Sequence, residues 1–434
     1  MKKVNVFQSL RKSELLINTT VLISGSAFAQ LIPILLRPFL TRPFSAEIFG
    51  AYSVYGSLIG ILVIISSFKY ELAIMLPRKD KEAANVFFLA IFLNLIFNIF
   101  LLIVLIIWKK TILHFLNLSD AFAGYLFFVP LGTFFLSSYQ SINYWLIRKK
   151  RFPPITFNKF IRRSFEGISQ VGFKLIKIPQ FLLYGDIIGH IANLCSGIYQ
   201  GMRSGLKIKL LSFSKIKYVF SKYDDYPKFN LIPAIMSACS SLLPAIFINK
   251  FFTLQDAGFM DLSKMLLSIP IALISLSVSS VLLQRTSEKC KNKESIIKEL
   301  SLILIVISII GVIEILVISL FGEELFKIIF GAQWRFSGVI AKFLVWSFSL
   351  NFIVNSFNSL FISMNRIKLL SFWQLLYFLS ILSLVLFRNN TFLDFVKIYV
   401  YIDVFCAVLI AAFITLIVLN YEAGLRNLDV NRQL

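Results

Sequence analysis

The sequence predicts an all-α integral membrane protein with twelve transmembrane helices in two six-helix bundles. Three observations predict it. The 434 residues are 58% hydrophobic, with 46 Phe and a mean hydropathy of +0.80, whereas soluble domains are near half apolar. Apolar windows of about 20 residues, the length that crosses a hydrocarbon core of about 30 Å, recur along the whole chain. Lys and Arg then collect in alternate loops, as cytoplasmic loops of membrane proteins do.

The predicted spans are, in order, 15–36, 50–68, 84–107, 121–147, 153–176, 179–199, 228–250, 258–283, 298–320, 336–362, 369–387 and 396–420. The first is too long for a signal-peptide core and has no small-residue cleavage site after it, so it is expected to remain as a membrane helix. The fifth and sixth are interrupted by polar residues. Both are kept because losing one span would invert every later loop and spoil the charge pattern. With twelve spans and the N-terminus inside, about 31 of the 44 Lys and Arg fall on the inner side. They include Lys2, Lys3, Arg11 and Lys12 at the start and Arg426 and Arg432 at the end, so both termini are expected in the cytoplasm. The net charge of +22 and pI of 9.8 would suggest nucleic acid in a soluble protein. Here the topology accounts for them, and no nucleic acid is expected.

The longest inner loop is basic and divides the chain into an N-terminal bundle (1–200), a linker (201–227) and a C-terminal bundle (228–434). Six spans per half predict parallel repeats. The stretches 31-LIPILLRPFLTRPFSAEIFGAY-52 and 242-LLPAIFINKFFTLQDAGF-259 support this. Each has an aliphatic-Pro pair late in the first span of its half, then an acidic linker ending in Gly. The outer loops, near 37–49, 108–120 and 321–335, hold about a dozen residues each. That argues against a membrane glycan polymerase or ligase, which needs a larger external loop. A purely structural scaffold would leave the charges inside the spans unexplained. Cys195, Cys239, Cys290 and Cys406 are far apart and form neither a CxxC nor a Cys/His cluster, so neither disulfide nor metal is expected. No phosphate loop of the GxxxxGK[ST] type is present, and no cofactor is implied.

Three further segments carry a family resemblance. The loop 69-KYELAIMLPRKDKEAANVF-87, the eighth span 257-AGFMDLSKMLLSIPIALISLSVSSVLLQRTSE-288 with Pro270, and the turn 330-FGAQWRFSG-338 resemble those of bacterial oligosaccharide flippases of the O-antigen type. These are polysaccharide-biosynthesis membrane proteins of the multidrug/oligosaccharidyl-lipid/polysaccharide exporter superfamily. The resemblance spans nearly the whole chain. It implies two bundles around a central cavity, alternating access, and a place in the bacterial cytoplasmic (inner) membrane. The implied cargo is a polyprenyl-diphosphate-linked glycan, with the lipid bilayer and glycosyltransferases or a polymerase of the same pathway as partners. The alternative within the superfamily is a cation-coupled drug or metabolite exporter.

Such a cargo brings about two negative charges and many hydroxyls into hydrocarbon, each buried hydroxyl costing roughly 1–3 kcal/mol if unpartnered. Cations are the groups to hold a diphosphate. Lys159, Arg162, Arg163 and Glu166 follow one helical face and are either a diphosphate-binding stripe or a set of residues snorkelling to headgroups. Lys264, three residues after Asp261, is either a cavity cation or half of a packing ion pair. Arg37 is an outer-rim residue or an exit-side phosphate contact, and Lys342 is similar. Asn351, Asn355 and Asn358 share a face that meets sugar hydroxyls or ties helices together. Asp186 with His190 is a proton carrier or a structural pair. Asp186, Asp261 and Glu314 are the candidate ion-coupling acids; Glu314 and Asp403, isolated acids within spans nine and twelve, are each either protonated and inert, the favoured reading, or a coupling site. Gly185 with Gly189, and Gly56 with Gly60, form GxxxG patterns of the kind that let helices approach closely.

Overall fold

The structure, a computed structural model, describes residues 14–433. Lys2, Lys3, Arg11 and Lys12 of the predicted cytoplasmic N-terminus lie outside the described residues, as do the side chains of Arg426 and Arg432. All described regular structure is helical. The principal helices are α1 (Glu14–Thr41), α2 (Ala46–Ser66), α3 (Asp80–Ile107), α4 (Ala123–Arg148), α5 (Phe152–Leu175), α6 (Phe181–Arg203), α7 (Phe213–Lys222), α8 (Leu231–Phe251), α9 (Leu254–Leu267), α10 (Leu276–Asn292), α11 (Ile297–Phe330), α12 (Arg335–Phe357), α13 (Ile367–Leu382) and α14 (Phe392–Gln433).

Each predicted span is found as helix. Among the described residues, nine helical stretches are long and apolar enough to cross a membrane. The other three predicted spans are less apolar, each for its own reason. In α1 the described apolar stretch is Phe28–Thr41. α5 carries the charged stripe. The predicted span 258–283 is broken: α9 ends before Pro270, a π-turn covers Ile271–Ser275, and α10 follows. Proline lacks the N–H and crowds the preceding turn, so the helix widens there.

The loops predicted as outer are shorter than expected because helices continue through them. α1 runs to Thr41, a short helix covers Lys109–Phe115, and α11 extends to Phe330. At 1.5 Å per residue α11 is about 51 Å long, well beyond a hydrocarbon core. Its protruding end is polar and ion-paired. Glu323 binds both Lys342 (2.7 Å) and Arg335 (3.1 Å), and Glu324 binds Lys327 (3.1 Å). The following turn needs glycine at Gly331, whose φ is +114°. Trp334 of that turn is fully buried edge-on to Phe259.

The chain forms two compact units. One comprises the residues up to Leu242 with Thr253–Gln255; the other comprises Leu243–Phe252 and the residues from Asp256 onward. In the first, α5 packs on α6 and α1, and α4 packs on α2, α3 and α6. In the second, α12 lies between α11 and α14.

The segment 201–227 is folded onto the first unit. Asn85, fully buried at the start of α3, donates to Leu210 O (3.0 Å) and accepts from Ser212 N–H (2.9 Å). Tyr70 Oη donates to Phe220 O (2.8 Å). Glu82 accepts from Lys222 Nζ (2.6 Å) and from Tyr223 Oη (2.7 Å). Hydrogen bonding to the Glu82 carboxylate holds the Lys222 ammonium above the usual lysine range. Burial, reinforced by the same carboxylate, pushes the Tyr223 phenol up to about 12.

Candidate functional site

Each unit holds a polar cluster inside membrane-length helices, where an ionisable group is costly without a partner. In the first unit the cluster lies on the α5–α6 seam. Pro153 and Pro154 occupy the first turn of α5, where a missing N–H does no harm. From there the helical period places Lys159, Arg162, Arg163 and Glu166 along one side. Glycine sets how closely α6 approaches. A Cβ at Gly189 would sit 2.8 Å from Glu166 Cβ and 3.0 Å from Arg162 O, and one at Gly185 would sit 3.0 Å from Gln170 N. The second GxxxG is mixed, since a Cβ at Gly60 would sit 2.5 Å from Leu242 Cδ1 while one at Gly56 would meet nothing within 4 Å.

The close seam divides the stripe. Arg163 Nη1 bonds Glu166 Oε2 within α5 at 2.7 Å. Arg162 crosses to α6, with Nη2 3.5 Å from Asp186 Oδ1 and 3.2 Å from His190 Nε2. Asp186 Oδ2 is 3.4 Å from the same His190 nitrogen. His190 Nε2 lies between a guanidinium, which only donates, and a carboxylate, which only accepts. The side chains of Asp186 and His190 are 6% and 3% exposed, and that of Arg162 is 22% exposed. Two guanidinium groups thus face two carboxylates and cancel, with half-buried Lys159 one turn away. An incoming diphosphate would have to exchange with a carboxylate to reach either arginine.

The second unit centres on Asp403 of α14, 4% exposed. Its carboxylate accepts from Tyr377 Oη of α13 (2.9 Å) and from Asn351 Nδ2 of α12 (3.0 Å). Lys264 of α9 lies within electrostatic range of Asp403 and Asp261, with its ammonium 4.9 Å above the Tyr399 ring. A cation over an aromatic face is stabilised by the ring quadrupole. This gathers predicted residues Lys264 and Asn351 around Asp403, for which inertness is the favoured expectation from sequence and a coupling role the alternative. Tyr377 and Tyr399 were not singled out, although a tyrosine in an apolar span beside an intramembrane acid was a usable signal.

The other candidates are dispersed. Asn355 accepts from Asn358 (2.8 Å), and Glu314 accepts from Ser349 Oγ (3.0 Å). Arg37 is 8% exposed and lies over the Phe49 ring at 4.6 Å. Lys342 is engaged by Glu323 at the end of α11.

Helices of this length and order define a multi-pass α-helical membrane protein, and solved structures share its fold. A multidrug resistance MATE family transporter of the MOP superfamily in an inward-facing conformation superposes with a TM-score of 0.71 at 12% identity, over 91% of this chain and 96% of that one. The lipid II flippase MurJ, in an inward closed conformation, gives a TM-score of 0.71 at 13% identity, over 96% of this chain and 92% of that one. The MATE multidrug transporter DinF-BH gives 0.61 at 16% identity, over 95% of this chain and 96% of that one. No curated protein matches the sequence. Residues 39–339 match the model of the polysaccharide biosynthesis protein family, and the chain belongs to that family.

Proposed function

We propose that the protein carries a polyprenyl-diphosphate-linked oligosaccharide, an O-antigen or capsule/exopolysaccharide repeat unit, from the cytoplasmic to the outer leaflet of the bacterial inner membrane. It does so by alternating access of two six-helix bundles, 1–200 and 228–434, with both termini cytoplasmic. The observation that carries this reading is a cation near carboxylates inside each unit: Arg162 at 3.5 Å from Asp186, and Lys264 within electrostatic range of Asp403 and Asp261. Arg37, Lys159, Arg162, Arg163 and Lys264 are the phosphate-side groups, and Asn351 and Asn355 the sugar-side amides. Asp186, Asp261 and Glu314 are the ion-coupling acids. Membrane potential also helps, since moving two negative charges outward releases about 2.3 kcal/mol per charge per 100 mV.

A second reading, export of an organic cation coupled to an ion, is favoured by the buried Asp186 and Asp403 and by the equal likeness to a multidrug transporter. Proteoliposomes separate the two. Labelled polyprenyl-diphosphate glycan is expected to reach the opposite leaflet, with the rate reduced in Arg162→Ala/Arg163→Ala and in Lys264→Ala and less so in Lys264→Arg. Organic-cation efflux without glycan movement would establish the exporter reading instead.

A further inference from the structure

The first unit has a basic end that the transport reading does not use. The start of α3, the end of α4, the start of α5 and the end of α6 meet there. Arg148 of α4 binds Asp80 of α3 (3.3 Å), and Arg151 and Arg203 line one cleft of about 360 Å³ with Pro154, Gln200 and Ser204. α7 docks on the same end through Asn85 and Glu82.

Three acids at this end are already engaged. Glu71 is paired with Lys69 (3.6 Å), Asp80 with Arg148 and Lys149, and Glu82 with Lys222. In the segment from Ser204 to Tyr226 the only acids are Asp224 and Asp225, at its far end, and Asp224 is bonded to Lys228. Lys207, Lys209, Lys215, Lys217, Arg151 and Arg203 are all exposed. The surplus is strongly positive.

α7 is also two-faced. Val219 is fully buried against the unit. Around the helix from it, Phe213, Lys217 and Phe220 follow at i, i+4 and i+7 on one flank, with Phe213 79% and Phe220 49% exposed. Ile208, just before the helix, is 81% exposed. Aromatic residues interleaved with lysines on a short amphipathic helix are the composition of an element lying in a headgroup plane. Its place supports this, because it joins the ends of two membrane-length helices, α6 and α8.

We propose that this end of the first unit is a docking surface for acidic phospholipid. Ile208 and Phe213 enter the acyl boundary, Lys215 and Lys217 meet the headgroup charge, and the Arg151–Arg203 cleft takes a lipid phosphate, while the Phe220 ring stacks on Tyr70 and holds α7 to the unit. The surface holds the 201–227 connection flat on the membrane, whatever cargo the protein carries.

The test uses the full-length chain in nanodiscs of phosphatidylcholine alone or mixed with phosphatidylglycerol, with amide hydrogen exchange read over residues 207–222. Phosphatidylglycerol is expected to slow exchange there severalfold while exchange in α3–α6 stays the same. Lys215→Gln with Lys217→Gln weakens the lipid dependence by about 5-fold per lysine, and Ile208→Ser with Phe213→Ser removes it. Arg151→Gln with Arg203→Gln lowers the number of phosphatidylglycerol molecules retained in native mass spectrometry. Equal exchange in both membranes overturns the proposal. So does equal protection from inorganic phosphate added to phosphatidylcholine nanodiscs at constant ionic strength, which would assign the site to a free anion.

Discussion

The two units bury charge in different ways. On the α5–α6 seam charge is answered by charge: Arg162 serves Asp186 and His190, while Arg163 serves Glu166. Around Asp403 a carboxylate is answered by neutral donors, Tyr377 and Asn351, and the nearby Lys264 rests on an aromatic ring. The first arrangement is symmetrical in sign and is disturbed by any group that competes for one partner. The second keeps its carboxylate solvated by fixed dipoles, and its cation is not bonded to that carboxylate. Under the proposed transport the seam would therefore act as an exchange site, whereas Lys264 could meet an anion without first surrendering a salt bridge.

Removing one charge breaks this comparison most sharply. Asp186→Ala leaves Arg162 facing only His190 in a nearly dry seam. It is expected to destabilise the protein by about 3–5 kcal/mol, seen as a fall of the detergent Tm. Arg162→Met combined with Asp186→Leu should recover part of that loss. Next comes backbone proximity. A Cβ at Gly338 would sit 2.5 Å from Gly322 O and 2.6 Å from Glu323 Cα. Gly338→Ala therefore pushes α12 off α11 at about 1–3 kcal/mol, whereas Gly56→Ala, meeting open space, should leave Tm unchanged or raise it slightly.

Tyr377→Phe removes one neutral donor from Asp403 and should cost about 1–2 kcal/mol, within the range for polar contacts between membrane helices. A deficit as large as that of Asp186→Ala would show that the two units do not differ as described. The smallest effect is at the surface. Because Lys222 is held above the ordinary lysine range by Glu82, its contribution to docking α7 is fully present below the ordinary lysine value. It is lost as pH rises through the raised one, and amide exchange in α7 should quicken there. Lys222→Gln should abolish that pH dependence.

Much of this was legible along the chain. The apolar windows located every membrane-length helix. The one predicted span that breaks in the middle contains Pro270, and the helical period placed Lys159, Arg162, Arg163 and Glu166 on one side of α5. The Gly185–Gly189 pair correctly marked a close seam, but Gly56 with Gly60 has the same spacing and one of its members faces open space. Spacing records that a glycine can admit a neighbour and is silent on whether one comes. For the same reason Asp403 looked inert in sequence: its donors, Tyr377 and Asn351, lie on two other helices.

By itself the sequence determined the membrane class, the helix order and which helices carry charge, because hydrophobic length and helical period are local properties of the chain. The tertiary structure alone decided that Arg162 reaches across to Asp186 and His190 while Arg163 stays with Glu166. It also decided that Asp403 is met by Tyr377 and Asn351. Those choices depend on how each helix is rotated and how near its neighbour lies, and side-chain packing sets both only when helices distant in sequence come together.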